Sequence, residues 1–509
     1  MACSVHILRL GFQKTQNRST RFSTSSASPS LRGFASTLSK FYGPRIRSDG
    51  RNLRRGLVQI AAMDEDWASV SSFDDWDDNE GISGRNSSIL SSSDGEDSDT
   101  EFLVIPTTEV DLPHRIGSHL DRSDAVTAAA YQFASLRGRR RRFGIQPGVF
   151  INMGLIAFSV MLLLFVDWCS WKIVRLPLPS FYLTRPFFIS AFLASCAGIF
   201  FVPLLDSLKV HQIFRKEGPP VHTSKRGTPT MGGLFFIPIG VSVAITIAGL
   251  SSVEVYGAAA ATLAFAAIGL LDDILSFIRN HNYGLPAQTK LFLQVVVGAC
   301  FSFWLGTADI SSPYSMKMLV PLPSLGLVHL GKFYIFLTAF CFAAMGNGIN
   351  LTDGIDGLAG GTAALAFIGM SIAVLPISSD LAIFGASMAG ACVGFLMHNG
   401  FKASIFMGDT GSLALGGALA AMAACTGLFF PLFIASGVFV LEVLSVIMQV
   451  SFFKATKCIY GTGRRLFQMA PLHHHVELCG LNEPLIVVSA YIASSVLALL
   501  AGYVGLVSV

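Results

Sequence analysis

Charge is what this chain has least of. Across 509 residues only 13% are Asp, Glu, Lys or Arg, while 52% are hydrophobic. Soluble proteins carry about a quarter charged residues, so a soluble globular enzyme is excluded. The nine cysteines contain no Cys-x-x-Cys spacing and fall mostly in apolar stretches. That excludes a disulfide framework or a zinc ribbon and leaves them as small packing residues. The first 63 residues lack the continuous apolar core of a secretory signal. No internal repeat is visible.

The net charge of +4 conceals a strong segregation. Residues 1–63 hold 11 Lys/Arg, 14 Ser/Thr and a single acid, Asp49, the pattern of an organellar transit peptide. The Ser-rich tract Ser23 to Ser30 favours a plastid over a mitochondrion, with cleavage expected near Ala61–Met63. Residues 64–101 hold 13 acids and one base, Arg85. The segment 64–148 cannot bury a core and is expected to be a disordered linker, acidic first and then Arg-rich. It ends in Arg137-Gly-Arg139-Arg140-Arg141-Arg142 just before an apolar stretch, so the run reads as a topological anchor rather than a nucleic-acid contact.

Residues 149–509 form the third part, a membrane domain. Apolar runs of transmembrane length occur at 149–168, 186–205, 231–250, 254–272, 290–309, 331–349, 357–376, 381–399, 412–429, 430–450 and 485–507. They are far too long for barrel strands, and lipid tolerates only helices or closed barrels, so the expected fold is an all-α polytopic helix bundle. Gly and Ala inside the runs suit close helix packing.

The connecting loops alternate. Those after the second, fourth, sixth, eighth and tenth runs, with their edges, carry Lys209, Arg215, Lys216, Lys225, Arg226, Arg279, Lys290, Lys402, Lys454, Lys457, Arg464 and Arg465; the others carry Lys317 and Lys332. The first set belongs on the cytosol-equivalent side, which is the stroma for a plastid inner membrane. One of the two basic stretches around the first run, Arg137–Arg142 or Lys172, Arg175 and Arg185, conflicts with this rule, which leaves the crossing of that run open.

Only 14 acids occur between 150 and 509, so their positions carry information. Asp272 and Asp273 end an apolar run, Asp353 and Asp356 lie in Asn350-Leu-Thr-Asp-Gly-Ile-Asp-Gly357, and Asp409 lies in Phe406-Met-Gly-Asp-Thr-Gly-Ser412. A carboxylate at a helix centre costs ~2.5–3.5 kcal/mol on insertion scales, so acids beside a membrane are functional candidates. Each alone could cap a helix. Five on the basic face suit a hard divalent cation, Mg²⁺, holding a phosphate. Gly354, Gly357, Gly408 and Gly411 beside them permit tight turns whose N–H groups can bind anions. Lys225, in Ser224-Lys-Arg-Gly-Thr-Pro-Thr-Met-Gly-Gly233, can pair with phosphate or simply anchor the loop. His473, His474 and His475, in Met469-Ala-Pro-Leu-His-His-His-Val-Glu477, titrate near neutrality and suit phosphate contact or proton transfer.

These motifs, in this order, resemble the phospho-N-acetylmuramoyl-pentapeptide-transferase family, a branch of the polyprenyl-phosphate N-acetylhexosamine-1-phosphate transferases. The resemblance runs from about Lys209 to the C-terminus. It implies ten core transmembrane helices, with the first run as one possible extra span, and a homodimer. It implies transfer of a phospho-MurNAc-pentapeptide from UDP to a polyprenyl phosphate, with Mg²⁺ and release of UMP. Asp409 then matches the principal Mg²⁺ ligand, with Asp272 and Asp273 beside it, and His473 the essential motif histidine, with His474 and His475 next to it. Lys225, Thr230, Asn350, Asp353, Gly354, Asp356, Asn399 and Phe406 match the nucleotide pocket, with Phe406 stacking on uracil, and Lys290 matches a lysine after the Asp pair. Two positions depart from the family pattern: Ser276 stands where a lysine is usual and His398 where an aromatic residue is usual. A sibling transferase using UDP-GlcNAc and a transporter are the alternative readings.

Overall fold

The computed structural model describes residues 147–174, 178–211, 225, 227–249, 251–279, 284–308, 319–322 and 326–508. The expected transit peptide, the acidic linker up to residue 146 and the Arg137–Arg142 run lie outside the described residues. The chain divides into two units, 1–117 and 118–509, and everything described belongs to the second.

Helices account for almost all of it, as expected. In chain order they are α1 (Pro147–Lys172), α2 (Thr184–Ser207), α3 (Gly233–Ala248), α4 (Val253–Arg279), α5 (Ala287–Thr307), α6 (Phe333–Thr352), α7 (Leu358–Val374), α8 (Ser379–Asn399), α9 (Gly408–Thr426), α10 (Phe429–Ala435), α11 (Gly437–Tyr460), α12 (Leu472–Leu478) and α13 (Glu483–Ser508). Between α5 and α6 a small hairpin pairs β1 (Leu319–Leu322) with β2 (Gly326–His329), Leu319 opposite His329. Among the described residues, eight helices are long and apolar enough to cross a membrane. The shorter α3 and α7 are apolar too, and α9 is rich in Gly and Ala.

Each of the eleven apolar runs therefore has its helix, with edges that differ for physical reasons. α4 continues seven residues past the run 254–272, because Asp272 and Asp273 face inward rather than ending the helix at water. The run 430–450 is split at Ser436 into α10 and α11. The short α12 is too polar to stand out by hydropathy.

The centre is built from α7, α8 and α9, whose side chains are buried along nearly their whole length. Around them stand helices that turn large apolar residues outward, such as Phe192 and Phe200 on α2, Phe292 and Phe303 on α5, and Phe336 on α6. An aqueous surface would not tolerate so many; a lipid one favours them. α2 and α8 run parallel, with Gly390 seated on the Phe187 backbone and Gly394 on that of Ala191.

α1 crosses the bundle. Near its start Gly148 abuts the Phe401 backbone just after α8 ends. Near its end the buried Asp167 accepts from the Leu183 and Thr184 N–H groups, both at 3.0 Å, and from the Thr184 hydroxyl at 2.6 Å, capping the start of α2. The residues between these anchors rise roughly 28 Å, about the hydrocarbon thickness. Packing thus places the two ends of α1 at opposite ends of the bundle.

Candidate active site

One stretch, Asn350 to Gly357, touches the Lys225, Asp409 and histidine motifs. It begins in the last turn of α6 and ends where Gly357, in the left-handed region at φ 81°, starts α7. A residue with a Cβ is strained in that conformation, and here the loop must turn sharply between two buried helices. The Gly357 N–H is held by Asn399 Oδ1 at 3.0 Å and its carbonyl by the Tyr491 hydroxyl at 2.7 Å.

At the front of the stretch, Asn350 Nδ2 donates to Asp409 Oδ1 at 2.7 Å and to Ser412 Oγ at 3.0 Å. The other oxygen of Asp409 accepts from Lys290 Nζ at 2.6 Å, and Lys290 lies 3.2 Å from Asp272 Oδ2. Asp272 and Asp409, from α4 and the start of α9, thus face one another across a single cation. Asp272 Oδ1 also takes the Leu285 N–H at 2.8 Å.

Asp273 has a different job. Its oxygens accept from the Asp409 N–H at 3.1 Å, the Thr410 N–H at 2.9 Å and the Thr410 hydroxyl at 2.6 Å. It caps α9 from a neighbouring helix, satisfying N–H groups that have no partner within α9 and suiting the positive end of its dipole. α4 can approach closely because Gly269, one turn earlier on the same face, lies against the Asp409 carbonyl, where a Cβ would overlap it.

Asp353 comes directly after the last turn of α6. Burial, reinforced by the charges of Asp409, Asp273 and Asp356, pushes its pKa up to about 8. Gly354 comes next, and its missing side chain leaves room for the imidazoles of His473 and His474. His473 is buried, its Nδ1 lies 3.3 Å from Glu442 Oε1, and its Nε2 faces Gly354. His474 Nδ1 lies 3.2 Å from Glu477 Oε2. His475 turns away: its Nδ1 accepts from the Gln468 N–H at 3.3 Å and its ring sits 5.4 Å from that of Phe467.

At the far end of the stretch, Asp356 Oδ1 pairs with Lys225 at 2.9 Å and its Oδ2 takes the Ala403 N–H at 3.0 Å. Lys225 also pairs with Glu483 at 2.7 Å. The lysine expected to meet a phosphate is therefore held between two carboxylates. Thr230 donates its N–H to the Val210 carbonyl at 3.0 Å, and Phe406 exchanges backbone hydrogen bonds with Pro229 and Gly232, so the 225–233 and 399–409 segments are bound together. Asn399 Nδ2 donates to the Ile405 carbonyl at 2.8 Å and braces its own loop. His398, the departure from the family pattern, has Nε2 2.9 Å from the Ser195 carbonyl and joins α8 to α2.

Glu442 and Glu483 are residues that sequence reasoning missed. Both are buried acids, Glu442 inside the run 430–450 and Glu483 just before the run 485–507, and the rule applied to the five aspartates covers them equally. Glu442 belongs to a stripe on α11. Two turns on, Gln449 Oε1 accepts from the Leu466 and Phe467 N–H groups at 3.1 and 2.8 Å; two turns further, Thr456 Oγ1 accepts from the Arg464 N–H at 2.8 Å. Residues at that spacing share a side of a helix, so one face of α11 docks the segment leading to the histidines.

Around Asn350–Gly357 the carboxylates Asp272 and Asp409 share one lysine, Lys290, while Asp353 meets only the charges of other carboxylates. Among the described residues no three His, Cys, Asp or Glu side chains close around a single ion. Two facing carboxylates with open positions suit a small hard cation that keeps waters and takes phosphate oxygens for its remaining ligands.

The glycosyl transferase family 4 profile matches residues 255–427, and the phospho-N-acetylmuramoyl-pentapeptide-transferase signature 1 matches residues 225–237. The chain is similar to proteins named phospho-N-acetylmuramoyl-pentapeptide-transferase from cyanobacteria. The Trichormus variabilis protein is 44% identical over 357 residues, 70% of this chain and 94% of the relative. That of Nostoc punctiforme is 45% identical over 324 residues, 64% of this chain and 88% of the relative. That of Synechocystis is 42% identical over 315 residues, 61% and 84% respectively. With identity at this level over nearly the full length of such relatives, and with the signature falling on the loop that holds Lys225, the chain belongs to the phospho-N-acetylmuramoyl-pentapeptide-transferase family.

Proposed function

We propose that this membrane transferase moves phospho-MurNAc-pentapeptide from its UDP carrier to a polyprenyl phosphate, giving lipid I and UMP, the first membrane step of peptidoglycan synthesis. The observation that carries the reading is the pairing of Asp272 and Asp409 across Lys290 at one end of the bundle, where a water-soluble nucleotide and a lipid phosphate can both arrive. An oxygen of the lipid phosphate attacks the β-phosphorus; the bond from that phosphorus to the bridging oxygen breaks, and UMP leaves with it. Such a reaction needs placement and charge neutralisation more than covalent work by the protein.

Asp409 and Asp272 would hold Mg²⁺, with Asp273 fixing the helix start that presents Asp409. The ion would supply neutralisation of the diphosphate and stabilisation of the leaving group. Asn350 and Lys290 orient Asp409. His473, steadied by Glu442, and His474, steadied by Glu477, offer nitrogen atoms to substrate phosphate beside Gly354, and Phe406 offers a ring to the base. His475 supports the motif through Phe467. Lys225, Thr230, Asp353, Asp356 and Asn399 shape the nucleotide pocket.

The cyanobacterial relatives and the Ser- and Arg-rich first 63 residues support a plastid inner envelope, with the site toward the stroma. A homodimer is part of the same proposal.

Asp409→Asn and Asp272→Asn, each assayed for UMP release from UDP-MurNAc-pentapeptide with Mg²⁺ and polyprenyl phosphate, should each lose about 100-fold or more, as removal of preorganised charge stabilisation does. Near-normal turnover in both would sink the metal site. Product formed from UDP-GlcNAc alone would favour the sibling transferase.

A further inference from the structure

The helix α1 lies outside both matched family segments, 225–237 and 255–427, yet its first turns press on the active face. Gly148 meets the Phe401 backbone, and a Cβ there would overlap the Phe401 carbonyl. One turn later the buried Asn152 donates its Nδ2 to the Leu396 carbonyl at 2.9 Å. That carbonyl also accepts the Gly400 N–H at 2.9 Å, so the amide completes the end of α8. Gly400 in turn is packed on Asn152, where a side chain would overlap the amide. An amide in an apolar helix is costly unless bonded, and this one is spent on the exit of α8.

Immediately after that exit, the chain forms the loop that holds the site. Asn399 fixes Gly357, Ala403 fixes Asp356, and Phe406 fixes Pro229. Asn152, Asp356, Phe401 and Tyr491 also border one small cleft with room for little more than a water molecule (about 10 Å³), so α1 and Asp356 share a wall.

We infer that Asn152 is a positioning residue for the nucleotide-sugar donor: α1 pins the 399–406 loop, and the loop holds Asp356 and Gly357 in register. The inference rests on the transferase reading. It does not place Asn152 against substrate. Asp167, near the other end of α1, is equally buried and makes three hydrogen bonds, but to the start of α2 on the opposite face. It provides an internal control for a merely structural role.

The experiment compares full-length protein with Asn152→Leu, Asn152→Gln, Gly148→Ala and Asp167→Asn, measuring UMP release, thermal midpoint and amide exchange of residues 399–406. Asn152→Leu should raise KM for the UDP-linked donor about fivefold, the loss of one hydrogen bond worth ~1 kcal/mol. Its kcat and its KM for polyprenyl phosphate should stay within about twofold, while exchange in 399–406 accelerates. Gly148→Ala should give the same signature, which keeps the test open if Asn152→Leu fails to fold. Asn152→Gln retains the donor amide beside the cleft and should recover most of the donor KM. Asp167→Asn should lower the thermal midpoint and leave donor KM and loop exchange unchanged. The inference is overturned if Asn152→Leu lowers the midpoint alone, or if Asp167→Asn moves donor KM and loop exchange to the same degree. Failure of the unmutated protein to turn over any UDP-sugar would instead overturn the transferase reading, leaving loop exchange as the measure of the α1 contact.

Discussion

Asp353 sits where the charges of three other carboxylates converge, and its position explains its proton. Its pKa is raised from 3.8 to about 8 by burial and by Asp409, Asp273 and Asp356. Folding therefore takes up a proton at Asp353 between those two values. The stability this supplies is complete below the unfolded pKa and is lost as pH rises through the folded one. Asp353→Asn keeps the neutral shape at every pH. Measured without divalent ions, its thermal midpoint should match the parent only below about pH 4, exceed it increasingly as pH rises to about 8, and differ from it by a constant amount above that (~2–4 °C for each kcal/mol in a domain of this size). Parallel curves for the two proteins would show that Asp353 titrates normally. The five aspartates were legible in the sequence as a group, because acids are scarce beside apolar runs. Their division of labour was not. Asp272 faces a lysine, Asp273 caps a helix and Asp356 anchors Lys225, and only the meeting of distant helix ends decides which does what.

At the scale of elements, every apolar run has its helix, but hydropathy alone does not show how tightly α9 is packed. Its Gly- and Ala-rich sequence reads as a weak span, yet it is buried throughout from Thr410 to Thr426. Small residues let α4 and α6 come within backbone contact of it: Gly269 lies on the Asp409 carbonyl, and Gly416 lies on Gly346. In lipid, where helices gain little from burying apolar area, such close approach is the main source of association. It also sets the spacing between Asp272 and Asp409. Gly269→Ala should therefore cost about 1–3 kcal/mol by overpacking and lower UMP release at least tenfold. Gly154→Ala, on α1 with open space around it, should leave both unchanged. A Gly269→Ala protein with full activity would mean that α4 and α9 can separate without disturbing the carboxylates. The sequence pattern hid this because a glycine in an apolar run looks alike whether it meets lipid or another backbone. It hid the Glu442, Gln449 and Thr456 stripe for the opposite reason: three polar residues spread along one helix dilute into an apolar average.

For the whole molecule, charge bias and packing give independent answers about α1, and they compete. Lys172 and Arg185 together favour keeping the α1–α2 junction on the basic side, which a crossing α1 forbids. Packing wins because α1 is anchored at both ends by buried contacts, Asn152 on Leu396 and Asp167 on Thr184, while charge bias near a junction only weights an orientation. With α1 across the membrane, its first turn shares a face with Cys479, which is exposed just beyond α12, and the exposed Ser180 lies on the other face. In sealed vesicles of one orientation, an impermeant maleimide should therefore label Val149→Cys from the side that labels Cys479. Ser180→Cys and Leu327→Cys, the latter on the β1–β2 hairpin, should label only from the opposite side. Each of these three proteins needs Cys3 and the exposed Cys300, Cys458 and Cys479 replaced, so that the label reports the new position. If Val149→Cys labels together with Ser180→Cys, α1 lies along the far face, and the Gly148 and Asn152 contacts with the end of α8 cannot exist in the membrane. That single result would remove the brace from the 399–406 loop while leaving the rest of the helix bundle, and the carboxylates it brings together, as they are.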